Sequence, residues 1–229
     1  AENDYPTDVI AKACEWYLAS SEEDQKELLN SIISGMPGAY DRLDIVGLRR
    51  ALDTYRGMDA ADIRANYRRF LHEVVPTAQD LGIRLCVHPD DPPRDILGLP
   101  RIVSDADDIA WIMSAYDAPA NGLTLCSGSL GANPENDVVD ITHKHSNRIH
   151  FVHLRNVRKD PDGSFEEAEH LSGDTNIPAL CHILLGEEKA RKSAGRPDWQ
   201  IPFRPDHGHE LLTDPQKKTF PGYPQIPIV

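Results

Sequence analysis

The sequence of 229 residues lacks long apolar runs and has little positive charge. No apolar run approaches the roughly 20 residues needed to cross a bilayer, so we expect no membrane partner. The formal net charge of −13 leaves no basic stripe for phosphates, so nucleic acid is not an expected partner. The first residues carry neither a basic start nor an apolar stretch, so we expect no signal peptide in this chain.

Cysteine is also scarce, and the four cysteines form no CxxC pair. Cys14, Cys86 and Cys181 lie in apolar segments, which predicts buried free thiols. Unpaired thiols are typical of a reducing compartment, so we expect a cytoplasmic location. No GxGxxG motif follows a predicted strand, which disfavours a dinucleotide-binding fold.

The chain divides by pattern into a helical part, residues 1–60, and a part with alternating helices and strands, residues 61–229. In the first part, Ser20 and Glu23 fit a capping box that opens a helix, and another helix is predicted from about Asp44 to Tyr55. Helices without strands indicate an insertion or subdomain. At 229 residues and 40% hydrophobic, the chain is long enough for one sizeable core, which fits one domain better than two.

Short apolar segments separated by amphipathic helices predict parallel strands at residues 83–88, 123–126, 149–153 and 201–206. Ser104 with Asp107 is predicted to cap an intervening helix, and residues 127–131 and 157–176 are predicted loops. Polar, titratable residues stand at the C-terminal end of each strand. This placement fits best an α/β fold of the (β/α)₈ TIM-barrel type, of which these strands make about half.

The strand ends carry residue types that bind metals: His88, Cys126, His153 and Asp206. Each alone is more often a hydrogen-bonded or buried residue. Their recurrence at equivalent positions, which converge on one mouth of a barrel, predicts a metal site. Two imidazoles, a thiolate and a carboxylate suit Zn²⁺ or Fe²⁺ by softness, whereas Mn²⁺ would take further oxygens from a substrate.

Other polar residues stand next to these ligands in the sequence. Arg155 and Arg204 are candidates for binding a substrate carboxylate through two N–H groups, and an ion pair at the barrel rim is an equally good interpretation of each. His209 is a candidate for contacting the substrate or for supporting a metal ligand, and a simply solvated side chain is the other interpretation. His143 and His145 are predicted to lie at the surface.

Several motifs together closely resemble the mannonate dehydratase family. They are HPDDPPR at 88–94, ILGLPRIVS at 96–104, LCSGS at 125–129, FVHLR at 151–155, HLSGD at 170–174, RPDHGH at 204–209 and PGY at 221–223. The long HPDDPP string is highly specific, and the resemblance covers essentially the whole chain. Asp90, Asp91 and Arg94 in this string are expected to shape the loop rather than to contact sugar.

The resemblance implies a (β/α)₈ barrel that uses Mn²⁺ or Fe²⁺ to dehydrate D-mannonate, a sugar acid, to 2-keto-3-deoxy-D-gluconate in hexuronate (glucuronate) breakdown. It places the metal ligands at His88, Cys126, His153 and Asp206, and the catalytic pair at Asp206 and Tyr223. It also implies that family members carry an N-terminal half with the first strands, so this chain is expected to correspond to the C-terminal half. A homo-oligomer is a further expectation.

Two alternatives remain beside this interpretation. Another metal-dependent sugar isomerase or epimerase on a similar barrel would show more Glu ligands and would lack the HPDDPP loop. A non-catalytic remnant that binds metal or an intact subunit would explain the expected missing half.

Dehydration of a sugar acid needs a base close to the proton α to the carboxylate and an acid for the departing hydroxide. Asp206 and Tyr223 are expected to share these transfers, with His207 as the substitute. Tyr223→Phe should therefore lower turnover by about 100-fold or more without loss of bound metal. Steady-state kinetics with metal analysis of the same sample tests this, and full turnover in the metal-loaded variant would refute the assignment.

Overall fold

The computed structural model describes residues 5–34, 45–161 and 163–206. His207, His209 and Tyr223 lie outside the described residues, so their predicted roles stay predictions. The chain forms two compact units, Ala1–Ile63 with Asp95–Pro100, and Arg64–Arg94 with Arg101–Val229. The division into domains at residues 60 and 61 likewise stays a prediction.

Helices precede the first strand of the described chain and then alternate with strands. The helices are α1 (Thr7–Ala19), α2 (Glu22–Ser34), α3 (Ile45–Asp53), α4 (Ala60–Asp80), α5 (Ala106–Ala115), α6 (Ser127–Gly131), α7 (Val138–His145) and α8 (Ile177–Ser193), with a 3₁₀ turn at Ser146–Arg148. The strands are β1 (Leu85–Val87), β2 (Asn121–Cys126), β3 (Ile149–His153), β4 (Val157–Lys159), β5 (Phe165–Glu167) and β6 (Phe203–Arg204). None of the described helices combines the length and hydropathy that a membrane span requires.

The capping interactions at α2 and α5 lie one residue later than the sequence pattern predicts. Before α2, the Ser21 hydroxyl accepts from the Asp24 amide at 3.2 Å, and the Asp24 carboxylate accepts from the Ser21 amide at 3.0 Å. At α5 the N-cap is Asp105, which accepts from the Asp108 amide. Consecutive capping residues offer two registers with the same three-residue spacing, so the pattern alone does not choose between them.

The second unit is built on a parallel sheet with the strand order β1-β2-β3-β6. All three neighbouring pairs are parallel. This confirms an α/β fold with a parallel sheet. Every residue of β2 is buried, as expected for a strand covered on both faces.

One hydrophobic cluster joins α4 to the end of α5 and to the segment between α5 and β2. Its buried members are Leu71, Val75, Ala78, Ala115 and Ala120. Leu71, Val75 and Ala78 are spaced four and three residues apart, so they form one stripe along α4. This stripe is the face of α4 that the structure buries.

Two segments that the sequence predicts as loops contain regular structure. Residues 127–131 form the short helix α6, directly after β2. Within 157–176, β4 and β5 pair as an antiparallel hairpin. The charged residues of these short strands hide the apolar alternation by which a strand is normally predicted.

The prediction for the thiols is only partly right. All four cysteines are free, but Cys14 and Cys86 are exposed and Cys181 is partly exposed, so the prediction of their burial was wrong. Cys86 alternates with the half-buried Leu85 and Val87 along β1 and so points to the other face of the strand. Cys14 lies on α1, which has no buried residue.

A bulge separates the two halves of the β2–β3 pairing. Leu123 pairs with Ile149, but the next residue, Thr124, pairs with Phe151. His150 is therefore the extra residue of β3 at this point. Its side chain is only 8% exposed and packs against Gly122, where an added Cβ would lie 2.3 Å from the imidazole ring.

Only one ring nitrogen of the His150 imidazole forms a hydrogen bond to the described residues. Its Nε2 atom lies 2.8 Å from the carbonyl oxygen of Pro119, while Nδ1 has no hydrogen-bond partner among the described residues. Burial lowers the pKa of His150 to about 4, against the opposing effect of the Pro119 hydrogen bond. The folded state therefore favours the neutral ring.

This lowered pKa predicts acid lability. The unfolded imidazole takes up a proton below pH 6.5 and the folded one only near pH 4, so stability from this group is present above pH 6.5 and is lost as pH falls. His150→Gln keeps a donor for Pro119 but cannot be protonated. Chemical denaturation should show that the free energy of unfolding falls by roughly 2 kcal/mol more in the wild type than in the variant between about pH 7 and 4.5.

His143→Gln is the matched control, since His143 is exposed on α7. It should keep the wild-type dependence on pH. The same dependence in His150→Gln would show that the buried ring does not titrate in this range.

Candidate metal centre

Three neighbouring parallel strands bring His88, Cys126 and His153 together at their C-terminal ends. His88 directly follows β1, and Cys126 and His153 are the last residues of β2 and β3. Cys126 and His153 are also register partners across the two strands. One ligand atom from each of the three side chains lies within 4.8 Å of the others. The structure thus assembles three of the four ligands predicted from the sequence into one cluster.

The two imidazoles lie side by side with defined orientations. His88 Nε2 is 3.2 Å from His153 Nδ1, and His88 Nδ1 is 2.6 Å from the carbonyl oxygen of its neighbour Pro89. The Pro89 carbonyl can only accept, so His88 Nδ1 carries the proton there and Nε2 is the ring nitrogen left to bind a metal.

The Cys126 thiol is buried but is favoured as a thiolate. Burial raises the pKa of Cys126, but hydrogen bonds with His153, His88 and Ser129 outweigh burial and lower that pKa to about 6. Desolvation lowers the pKa of His88, whereas the hydrogen bond and charge of Cys126 raise it more, so the net shift is upward. The surroundings of Cys126 therefore favour a thiolate beside the two imidazoles.

Asp206 borders this cluster through His153. Its Oδ2 atom lies 3.5 Å from His153 Nδ1. Asp206 follows the short strand β6 and has a φ of 67°, in the left-handed region, which Asp tolerates better than most residues. The backbone turn after β6 thus directs the carboxylate towards the ends of the other strands.

Both candidate substrate-binding arginines are paired with carboxylates. The buried Arg155 donates from Nε to Glu167 at 2.8 Å and from Nη1 to Asp91 at 2.5 Å. Arg204 is exposed and pairs with Asp206, with Nε 3.1 Å from Oδ1. Of the two interpretations that the sequence allows, the ion pair is the one present in the structure, and a substrate-binding role for either residue stays a prediction.

The proline-rich loop after His88 is shaped by Asp90, as the sequence predicts. The Asp90 carboxylate accepts from the amides of Ile102 at 3.1 Å and Val103 at 2.8 Å, and it pairs with Arg101 at 3.3 Å. These bonds connect the start of the loop at Asp90 to its end at residues 101–103. Arg94 donates to the carbonyl of Gly163 at 3.0 Å, so it too has a structural role in this loop.

The sequence patterns did not indicate several residues that support the cluster. Ser127 donates to the carbonyl oxygens of His153 at 3.1 Å and Arg155 at 2.6 Å, and Ser129 donates to Cys126 Sγ at 3.1 Å. Glu167 belongs to the hairpin that was predicted as a loop. For the two serines, the available signals were their place in the LCSGS motif, one and three residues after the candidate ligand Cys126.

Asn156 is a further missed residue, and it connects β3 to the segment before α8. It is fully buried, and its amide donates to the carbonyls of His170 and Thr175, each at 2.9 Å. Its oxygen accepts from the amides of Val157 and Thr175, each at 3.0 Å. With all of its hydrogen-bonding groups satisfied, Asn156 fixes the chain directly after the Arg155 position.

A parallel α/β sheet with a His–Cys–His cluster at its strand ends defines a class of protein, the α/β proteins that carry their chemistry at the C-terminal ends of parallel strands. Within that class, the family model of D-mannonate dehydratase (UxuA) matches residues 11–228. The chain belongs to the mannonate dehydratase family.

Individual relatives agree with the family model. The chain is 46% identical to the mannonate dehydratase of Rhizobium meliloti (strain 1021) over 229 residues, which is 99% of this chain and 57% of that protein. It is 44% identical to the mannonate dehydratase of Marinomonas sp. (strain MWYL1) over 227 residues, 99% of this chain and 58% of that one. The chain therefore spans less than two thirds of the length of these curated relatives.

A solved structure also resembles the fold. The crystal structure of mannonate dehydratase from Streptococcus suis serotype 2 matches with a TM-score of 0.67 and 34% sequence identity. The match covers 85% of this chain and 52% of that one.

Cys126→Ser removes the sulfur donor of the cluster and tests its ability to bind a metal. We expect Co²⁺ titration of the wild type to give a thiolate-to-metal charge-transfer band in the near ultraviolet. The variant should lose the band and bind Co²⁺ more than about 100-fold more weakly, because a serine hydroxyl is not ionised at neutral pH. Cys181→Ser, at a thiol on α8, is the control and should leave the band unchanged. A band that persists in Cys126→Ser would exclude Cys126 as a ligand.

Proposed function

We propose that this chain carries the metal-binding half of a mannonate dehydratase, a hydro-lyase that converts D-mannonate to 2-keto-3-deoxy-D-gluconate in hexuronate (glucuronate) catabolism. The observation that carries the proposal is the cluster of His88, Cys126 and His153 at adjacent strand ends of a chain in this family. The names of its relatives supply the substrate, D-mannonate, and the cluster supplies a place for the chemistry.

The donor set fits the proposed cofactor. Two imidazole nitrogens and a thiolate suit Fe²⁺, and Mn²⁺ fits if a carboxylate and the substrate add oxygens. A divalent cation held by His88, Cys126 and His153, with Asp206 as the fourth ligand, would stabilise the negative charge that develops at the substrate carboxylate. The pKa of Cys126, lowered to about 6, supports this assignment because the thiol would be largely ionised at neutral pH.

The proton transfers are assigned to residues next to the cluster. Removal of the proton from the carbon next to the carboxylate and of the hydroxyl from the following carbon releases water and leaves an enol, which tautomerises to the 2-keto acid. We assign these transfers to Asp206 and Tyr223, with His207 as the substitute. Asp206 is the described member of this group, and its position 3.5 Å from His153 Nδ1 is compatible with a substrate bound at the cluster.

Substrate orientation is assigned to Arg155, Arg204 and His209. Arg204 is the more accessible of the two arginines, since about half of its side chain is exposed, while Arg155 is nearly buried. For Arg204 to bind a substrate carboxylate, it would exchange its bond to Asp206 for one to the substrate. The same exchange would release Asp206 for proton transfer.

The finer architecture is also a proposal. The sequential parallel order β1-β2-β3-β6 is compatible with one half of a (β/α)₈ barrel, whose chemistry would lie at the C-terminal ends of its strands. A cytoplasmic location, homo-oligomer formation and the lack of nucleic-acid and membrane partners stay predictions of the sequence.

Among the described residues, the metal-candidate cluster contains no Glu. This composition disfavours the alternative of a sugar isomerase or epimerase, for which several Glu ligands were expected. Only a measurement of dehydratase activity distinguishes the alternative of a non-catalytic remnant from the proposal.

The direct test incubates the 229-residue chain with D-mannonate and Mn²⁺ or Fe²⁺ and follows 2-keto acid formation. We expect product with metal, none with a chelator, and none with D-gluconate, which differs from D-mannonate only at the carbon next to the carboxylate. His153→Ala, which removes one proposed ligand, should lose activity, while His143→Ala at the surface should keep it. A folded, metal-loaded chain that forms no 2-keto acid would refute catalysis by this chain and leave the remnant interpretation.

A further inference from the structure

We propose that Ser129 is a positioning residue for the Cys126 thiolate, and that its hydroxyl tunes how strongly the sulfur donates to a bound metal. This inference rests on the metal-binding part of the proposed function. It assigns a role to a side chain that does not itself belong to the His88–Cys126–His153 cluster.

The geometry of α6 brings Ser129 back onto Cys126. The helix begins at Ser127, the residue after Cys126, and so residue 129 lies about one turn beyond the ligand. The Ser129 hydroxyl oxygen is 3.1 Å from Cys126 Sγ, and both side chains are fully buried. The Ser129 hydroxyl is therefore directed at the sulfur in a place that water does not reach.

The direction of the bond follows from the chemistry of the two groups. A thiolate has no proton to give, so the serine hydroxyl must be the donor. A negatively charged sulfur in a buried site needs donors in place of water. When a metal takes one lone pair, the remaining lone pairs can still accept from Ser129. Such a bond draws electron density from the sulfur and fixes the side-chain orientation of Cys126.

Ser127 provides a built-in comparison on the same helix. It is as buried as Ser129 and carries the same hydroxyl, but that hydroxyl donates to the backbone carbonyls of His153 and Arg155 rather than to sulfur. Loss of the Ser127 hydroxyl can move a ligand but leaves the hydrogen bond to the sulfur intact. A change in the electronic character of the sulfur should therefore be confined to variants of Ser129.

The energy of the thiolate-to-metal charge-transfer band separates tuning from a merely structural role. We would load wild type, Ser129→Ala, Ser129→Thr and Ser127→Ala with Co²⁺ and record near-ultraviolet spectra and dissociation constants. Ser129→Ala should move the band to longer wavelength, because the sulfur orbitals rise in energy without the donor. It should also bind Co²⁺ about tenfold more weakly, because the buried thiolate loses a stabilising donor and the Cys126 side chain loses its fixed orientation, and these losses outweigh the stronger donation by the sulfur.

Ser129→Thr keeps the hydroxyl and should restore the wild-type band position, and Ser127→Ala should keep that position even if its affinity falls. Because Ser129→Ala removes one oxygen and adds no atoms, the buried site should accommodate it. An unchanged band and affinity in Ser129→Ala would overturn the role of Ser129 while leaving the metal site standing. A wild type that binds Co²⁺ without a charge-transfer band would overturn both. A wild type that shows the charge-transfer band but forms no 2-keto acid would count against the proposed function alone.

Discussion

The pairing of β2 with β3 is the interaction on which the candidate metal centre depends. The bulge at His150 advances the register by one residue, so Cys126 lies opposite His153. If the pairing of Leu123 with Ile149 had continued without the bulge, Cys126 would lie opposite Val152. Side chains alternate faces along a strand, so a shift of one residue would place an apolar side chain where the imidazole now lies. A small backbone irregularity, supported by the buried ring of His150, thus decides which residue meets the thiol.

Around this pairing, residues outside the cluster hold the strand ends in place. The hydroxyls of Ser127 and Ser129 reach the His153 backbone and the Cys126 sulfur from one short helix. Arg155, next along the chain, is fixed by Asp91 and Glu167, and it passes so close to Gly128 that an added Cβ there would lie 2.5 Å from its side chain. The absence of a side chain at Gly128 therefore leaves the space that the arginine occupies beside the helix that returns to the sulfur.

Much of this arrangement could be predicted from the sequence, because its signals are local. Apolar segments that end in His88, Cys126 and His153 indicate both the strands and the direction in which their ligands gather. The capping residues were displaced by one position because adjacent Ser and Asp residues satisfy the same pattern. The bulge could not be predicted, since it depends on pairing between segments distant in sequence. The hairpin β4–β5 was missed because its charged residues hide the apolar alternation. The contact of Ser129 with Cys126 spans only three residues, but it depends on a helix where the sequence predicts a loop. The predicted burial of Cys86 was wrong because apolar neighbours in the sequence do not determine towards which face of a strand a side chain points.

The proposed function requires that His88, Cys126 and His153 bind one metal ion together. X-ray absorption at the metal edge of the chain loaded with Mn²⁺ or Fe²⁺ measures this directly, since it distinguishes sulfur from nitrogen and oxygen neighbours. We expect one sulfur neighbour, together with the multiple-scattering pattern of two imidazole rings. A first shell of oxygen and nitrogen alone, without sulfur, would contradict the shared metal site.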